Sequence, residues 1–204
     1  MKYFDLTHLF DPNMPLYPGE PRPEINQVGF IDKDGYNDFE IKTGLHVGTH
    51  MDAPSHMLKG GKNLSDFPPE YFFGPGHLIK VKGDKIGAEL LENKNILKGD
   101  IIILMTRLYK KFNSTEYYEN FPEITPAFAE KAVKLGVKII GLDTPSPDRE
   151  PFTVHKILLK NDILIIENLT NLEPLAGQKK FEIIALPAKF PTEAAPVRVI
   201  ARII

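Results

Sequence analysis

Short runs of hydrophobic residues, separated by Pro, Gly and Asp, fill the first half of the chain and indicate β-strands. A loop with five prolines, residues 11–24, separates the first two runs. An Asp-Lys-Asp-Gly turn signal at residues 32–35 joins the second run to the third. The strands predicted here are Tyr3–Leu9, Ile25–Ile31, Phe39–Leu45 and His77–Val81.

Strand and helix patterns alternate in the second half. Ile101–Met105 is a continuous apolar run, typical of a strand buried on both faces. Thr125 and Pro126 begin a helix as N-cap and first helical residue, an apolar stripe follows, and Gly136 ends it. A second helix is predicted at Thr153–Lys160, with strands at Val137–Leu142, Ile163–Ile166, Glu182–Leu186 and Val197–Ile203. The alternation predicts one mixed α/β domain spanning residues 1–204, without a linker that would mark a boundary.

The composition and the net charge exclude several classes of function. The net charge is −2, with 25 Lys and Arg against 27 Asp and Glu, which argues against a nucleic-acid partner. Cysteine is absent, so disulfides, Cys-ligated zinc, iron–sulfur clusters and thiol nucleophiles are excluded. The N-terminus lacks the apolar core of a signal peptide, and no run approaches the ~20 apolar residues of a membrane span. We therefore expect a cytoplasmic protein that acts on a small molecule, without a membrane partner.

Three of the six histidines fall within the eleven residues from His46 to His56, together with Asp52. In an extended strand alternate side chains share a face, so His46, His50 and Asp52 would point the same way, with Gly48 leaving space between them. Pro54 would turn the chain and set His56 off that line. Imidazole and carboxylate groups on one face favour a divalent metal site. The alternative is a polar, hydrogen-bonded strand end without a metal.

The string H-V-G-T-H-M-D-A-P-S-H, residues 46–56, resembles the signature of the metal-dependent cyclase family, which contains bacterial kynurenine formamidase and isatin hydrolase. Three further segments resemble that family in the same order: Y-P-G-E at residues 17–20, G-D-I-I-I at 99–103 and G-L-D-T-P-S at 141–146. The resemblance covers nearly the whole chain. It implies a single mixed-sheet α/β domain of the swivelling β/β/α type and a homo-oligomer, either a dimer or a tetramer.

The resemblance also implies a role for each site residue. His46, His50 and Asp52 would ligate a first metal ion. Asp52 would bridge to a second ion, held by His155 and Glu167, in members with two ions per subunit. His56 would transfer protons. Tyr17 stands where the family has a Trp that contacts substrate, and Phe72 and Phe73 are further candidates for pocket walls. From the residues alone, isolated His155 and Glu167 would be read as solvated side chains.

A ligand set without sulfur suits Zn²⁺, Mn²⁺ or Fe²⁺. We take Zn²⁺ as the first expectation and Mn²⁺ as the alternative. A bound divalent ion lowers the pKa of water to about 7, which permits attack on an amide carbonyl. The resemblance points to hydrolysis of an aryl formamide such as N-formylkynurenine. Ring opening of a cyclic amide or imide at the same site is the alternative, and a non-catalytic metal-dependent binding module is a third interpretation.

Overall fold

A computed structural model describes all 204 residues. Its main feature is an eight-stranded mixed sheet with two smaller two-stranded sheets beside it. The strands are β1 (Lys2–Asp5), β2 (Glu24–Gly29), β3 (Asp38–Lys42), β4 (His50–Asp52), β5 (Phe73–Lys80), β6 (Lys85–Ile86), β7 (Ile101–Met105), β8 (Glu123–Ile124), β9 (Ile139–Leu142), β10 (Leu164–Glu167), β11 (Phe181–Pro187) and β12 (Ala194–Ile203). The helices are α1 (Ile31–Asp34), α2 (Glu116–Glu119), α3 (Pro126–Leu135) and α4 (Thr153–Lys160).

The large sheet closes on itself. Its order is β1-β12-β11-β5-β7-β9-β10-β4, and β12 also pairs with β4. The centre, from β5 to β10, is parallel, while β4, β11, β12 and β1 pair antiparallel with their neighbours. This is the single mixed-sheet α/β domain that the sequence predicts, in a barrel-like arrangement. No helix is both long enough and apolar enough to cross a lipid bilayer.

Two hydrophobic cores lie on opposite faces of this sheet. Strand β7 is buried along its whole length and contributes alternately to both, as its unbroken apolar run predicts. Ile101 and Ile103 face the barrel interior, whereas Ile102 and Leu104 pack beneath α3 and α4. Burial on both faces makes the central strands a rigid base for the side chains at their ends.

The helices and strands predicted above by residue range are confirmed, with shifts at their ends, whereas the short strands β6 and β8 were not predicted. Helix α3 begins after Thr125, whose hydroxyl accepts a hydrogen bond from the backbone N–H of Phe128, and it ends at Gly136 in a left-handed conformation. The turn predicted between β2 and β3 contains the one-turn helix α1. Strand β12 begins three residues earlier than predicted. The prediction begins only at Val197 because a proline such as Pro196 normally interrupts a strand. Those three residues, Ala194 to Pro196, pair with β4 and close the sheet.

Candidate metal centre and active site

Strand β4 places two of the predicted ligands. His50 lies directly opposite Glu167 of β10, so the two side chains share one face of the sheet. Asp52 is two residues further along β4 and points to that same face. Met51, between them, points to the barrel interior and belongs to the core there. His50, Asp52 and Glu167 therefore gather on the face that α4 covers.

The prediction of one extended strand through His46 is wrong. The chain turns over residues 45–49, and strand β4 begins only at His50. Gly48 has a φ of 66°, a left-handed conformation that favours glycine. A Cβ at Gly48 would lie 2.7 Å from Cε of Met14, so glycine also permits this close approach. Gly48 therefore shapes the turn that brings His46 back over Asp52, rather than leaving space between the imidazoles.

The turn also orients His50. Nδ1 of His50 donates to the carbonyl of Gly48 over 2.9 Å, which directs Nε2 into the cluster. The side-chain amide of Asn168 donates to the same carbonyl, also over 2.9 Å. The Asn168 amide holds the Gly48 carbonyl in position, and this carbonyl fixes the orientation of the His50 imidazole before any ligand binds.

His155 comes from the first turn of α4 and is buried. Its Nε2 lies 3.4 Å from Oε1 of Glu167, while its Nδ1 donates to Oδ1 of Asp148. The other Asp148 oxygen accepts the backbone N–H of Val154 over 2.7 Å. Asp148 thus fixes both the start of α4 and the orientation of the His155 ring.

His56 follows Pro54 in a single 3₁₀ turn, Pro54–His56, which sets it apart from the line of β4 as predicted. Its ring centroid lies 4.3 Å from that of His46 and 5.9 Å from that of His155. His56 remains partly exposed, unlike His50 and Asp52. It therefore lies at the side of the cluster that opens to the pocket.

The donor atoms converge within reach of a metal ion. Oδ1 of Asp52 lies 3.1 Å from Nδ1 of His46 and 3.4 Å from Nε2 of His50, and Oε2 of Glu167 lies 3.3 Å from that same His50 nitrogen. Two groups have ligand atoms within 4.8 Å of one another, His46–Asp52–His56 and His50–Asp52–Glu167. Asp52 is common to both, which suits a carboxylate between two ions. Four of the five predicted ligands, His46, His50, Asp52 and Glu167, fall in these two groups, and His56 joins the first of them. His155 belongs to neither group and reaches the cluster through Glu167.

Three buried polar atoms in this cluster have no hydrogen-bond partner: Nε2 of His50 and both carboxylate oxygens of Asp52. A buried carboxylate without a donor is strongly unfavourable unless a cation compensates it. The imidazole and carboxylate donors, without sulfur, are those that Zn²⁺, Mn²⁺ and Fe²⁺ accept. The residues present therefore fit a divalent metal ion.

The pKa values of the cluster in the metal-free protein also favour the binding of a cation. Burial opposes a charged imidazole, but the neighbouring carboxylates outweigh it, raising the pKa of His50 to about 9 and that of His155 to about 10. Burial likewise opposes a charged Asp52, yet His50 and His46 hold the pKa of this carboxyl well below its usual range. His56 differs, because burial and the adjacent imidazoles lower its pKa. The cluster attracts positive charge, while His56 favours the neutral form.

The cluster forms the floor of a pocket of about 290 Å³. Tyr17 lines this pocket, as the sequence predicts, and Tyr118 packs edge-on against it with ring centroids 5.9 Å apart. Phe72 and Phe73 do not line it: Phe72 belongs to the barrel core and Phe73 is exposed on β5. The remaining apolar wall comes from Pro15, Leu16, Val47, Met57, Pro145 and Phe152.

Sequence reasoning missed Asp148, Asn168, Tyr118 and Phe152 as residues of the site. Asp148 is seven residues before His155, with a proline-containing loop between them, and no helical or strand period links the two. Tyr118 approaches the pocket from α2, a one-turn helix without a recognisable pattern. Only tertiary structure brings these side chains to the cluster.

Comparison with known proteins agrees with this architecture. The Cyclase family model matches residues 4–149. An uncharacterized protein of Methanocaldococcus jannaschii is 37% identical over 98% of this chain and 99% of its own. A kynurenine formamidase of Bacillus cereus is 29% identical over 98% and 97% of the two chains.

Two solved structures share the fold. One, described as a potential metal-dependent hydrolase with cyclase activity, has a TM-score of 0.84 and 25% identity over 98% of this chain and 96% of its own. Isatin hydrolase A of Labrenzia aggregata has a TM-score of 0.87 and 23% identity over 99% and 93%. The mixed-sheet fold and the histidine–carboxylate cluster define the cyclase class of metal-dependent hydrolases. This chain belongs to the Cyclase family.

Because His50 and His155 hold protons tightly without metal, a metal ion must displace those protons to bind. Zinc affinity should therefore increase as the pH rises from 6 to 8, with protons released on binding. Calorimetric titration in two buffers of different ionisation enthalpy measures both effects. A zinc affinity independent of pH, without proton release, would contradict this assignment.

Replacing Asp148 by Asn keeps the size of the side chain but removes the charged acceptor that orients His155. We expect zinc affinity to fall about 10- to 100-fold, the range seen for residues that support metal-bound histidines. Asp32→Asn, at an exposed position in α1, is the matched control and should bind zinc like the wild type. Equal affinity in the two variants would show that His155 needs no support from Asp148.

Proposed function

We propose that this protein is a metal-dependent amidohydrolase that cleaves the C–N bond of an aryl formamide, with N-formylkynurenine as the leading substrate. The observation that carries the proposal is the cluster of buried, unpartnered imidazole and carboxylate atoms at the floor of an aromatic pocket. The relatives named kynurenine formamidase, aligned over almost the full length, support the same chemistry.

His46, His50 and Asp52 would hold the first ion, and His155 with Glu167 a second that shares Asp52. Zn²⁺ is the first candidate and Mn²⁺ the alternative. When bound, a divalent ion polarises the substrate carbonyl and lowers the pKa of water. Asp148 and the carbonyl of Gly48 hold His155 and His50 in orientation, so the ligand cluster is preorganised.

His56 is placed to move the proton. Water adds to the formyl carbon, the C–N bond breaks, and formate and an aryl amine are the products. The imidazole of His56 accepts a proton from the water and returns it to the departing nitrogen. Its lowered pKa keeps a ring nitrogen free to accept that proton near neutral pH. The position of His56 next to His46, in the lining of the pocket, supports this role.

The pocket walls suit a flat aromatic substrate. Tyr17 and Tyr118 present perpendicular rings, and Phe152 packs edge-on against His155 with centroids 5.7 Å apart. Aromatic pairs favour such edge-to-face contacts, so a substrate ring gains packing here and excludes water from the cluster. A bicyclic lactam or imide also matches a pocket of about 290 Å³, and ring opening of such a compound is the second candidate function.

Protein stripped with a chelator and reloaded with Zn²⁺ or Mn²⁺ should release formate from N-formylkynurenine, and the stripped protein should not. Formate release is measured directly, alongside ring opening of a cyclic imide. Turnover of the imide alone would favour the second candidate. No turnover of either compound by metal-loaded protein would indicate a binding module.

His56→Ala should reduce turnover by about 100-fold or more, the usual contribution of a general acid–base, while zinc content stays unchanged. Turnover and bound zinc are measured on the same preparation. Loss of zinc would instead make His56 a ligand, as the group His46–Asp52–His56 allows. His8→Ala, at a histidine outside the cluster, is the matched control.

We also propose that the protein is a homo-oligomer, dimer or tetramer, joined through the β2–β3 hairpin. This hairpin pairs with no other strand and exposes a patch of large apolar side chains: Val28, Phe30, Ile31, Tyr36, Phe39 and Ile41. An isolated two-stranded hairpin is marginally stable, so a second copy would supply the missing packing. The Pro-rich loop before it lies over the pocket of its own chain.

Light scattering at micromolar concentration should give a mass of at least twice 23.0 kDa. Charged substitutions at Phe39 and Ile41 together should shift the protein toward the monomer. A monomeric wild type at that concentration would refute the proposal. A cytoplasmic location stays a prediction.

A further inference from the structure

The charged groups that line the pocket are all acidic or imidazole. Glu20, Asp52 and Glu167 contribute carboxylates, whereas no Lys or Arg lines the pocket. Asp52 and Glu167 belong to the ligand cluster, so a bound metal ion compensates their charge. Glu20 lines the same pocket but lies outside both groups of ligands, so a metal ion held by those groups does not pair with its carboxylate.

The Glu20 carboxylate has no partner within the protein. It forms no ion pair and accepts no hydrogen bond, although its side chain is half-buried. Gly44 makes room for it, since a Cβ at Gly44 would lie 2.9 Å from Oε2 of Glu20. The Glu20 carboxylate therefore lines the pocket without a protein partner, so a ligand in the pocket can interact with it.

Glu20 and Tyr17 are presented by the same turn. The backbone N–H of Glu20 donates to the carbonyl of Tyr17 over 3.0 Å, which fixes the spacing of the two side chains. Tyr17 and Glu20 therefore line the pocket from one turn, and neither belongs to the groups of ligands. A substrate with its ring against Tyr17 would meet Glu20 with its ring substituent.

We propose that Glu20 determines specificity, selecting aryl amides whose ring substituent carries an ammonium group over those that carry a carboxylate. This inference rests on the proposed function and deepens it by naming the substrate class. An ammonium group gains the Glu20 charge as partner, and a carboxylate at the same place meets repulsion with no cation nearby to offset it. Glu20 is thus a specificity residue that takes no part in bond breaking.

Three formamides that differ only in ring charge test the assignment: N-[3-(aminomethyl)phenyl]formamide, formanilide and 3-formamidobenzoate. In zinc-loaded wild type, kcat/KM should be about tenfold higher for the ammonium compound than for the carboxylate, as expected for one ion pair gained against one repulsion. In Glu20→Gln this ratio should fall close to one, with formanilide hydrolysis unchanged. Glu130→Gln, an exposed position on α3 that removes the same charge, should keep the wild-type ratio.

Binding of the products gives a readout independent of turnover. Calorimetry of 3-(aminomethyl)aniline and 3-aminobenzoate with the zinc-loaded proteins should show the same ratio and the same loss in Glu20→Gln. The binding ratio could depend on Glu20 although no formamide is hydrolysed. That result would support selection of amines by Glu20 and would refute the proposed hydrolysis. If formamides are hydrolysed but Glu20→Gln keeps the wild-type ratio, the role of Glu20 is refuted while the hydrolysis stands.

Discussion

The burial of a carboxylate without a hydrogen-bond donor is the constraint on which the architecture of the site depends. Both oxygens of Asp52 and Nε2 of His50 are inaccessible to solvent and lack a hydrogen-bond partner, so in the metal-free protein only the nearby imidazoles offset the charge of Asp52. The closure of the sheet produces this burial. Strand β4 is held between β10 and β12, so its outward-facing side chains lie against Glu167 and beneath α4 rather than in water. Stability and function therefore oppose each other here, because the atoms that bind a metal ion are a cost to the metal-free protein.

The residues around the cluster have two separate roles, orienting the imidazole rings and enclosing the pocket. Asp148, the Gly48 carbonyl and Asn168 fix the imidazole rings, so a metal ion meets donors that are already oriented. Tyr17, Tyr118 and Phe152 provide a flat apolar enclosure in which electrostatic interactions are stronger than in water. His56 lies at the boundary between these two regions, and its lowered pKa distinguishes it from His50 and His155, whose pKa values are raised. Glu20 lines the same pocket with a carboxylate that has no protein partner, and it is the residue to which we assign selection among substrates.

The sequence predicts what depends on local pattern. The apolar run of β7, the capped helix α3 and the concentration of ligands in residues 46–56 all follow from spacing and residue type. The convergence of His46, His50 and Asp52 is confirmed, although the turn at Gly48, rather than a continuous strand, brings them together. Tyr118 and the pairing of Pro196 with His50 carry no local signal, since each depends on contacts between segments far apart in the chain. Asp148 is only seven residues from His155, but the irregular loop between them hides the contact from a pattern of helix or strand positions. His155 and Glu167 were assigned through the family resemblance alone.

The most direct test of this account is anomalous diffraction at the zinc edge from crystals of the zinc-loaded protein. We expect an anomalous peak within coordination distance, about 2.0–2.2 Å, of Asp52 and at least two of the imidazoles of His46, His50 and His155. A second peak near Glu167 and His155 would establish a two-ion site that shares Asp52. The absence of zinc from the cluster in fully loaded crystals, or zinc bound only elsewhere on the surface, would contradict the account.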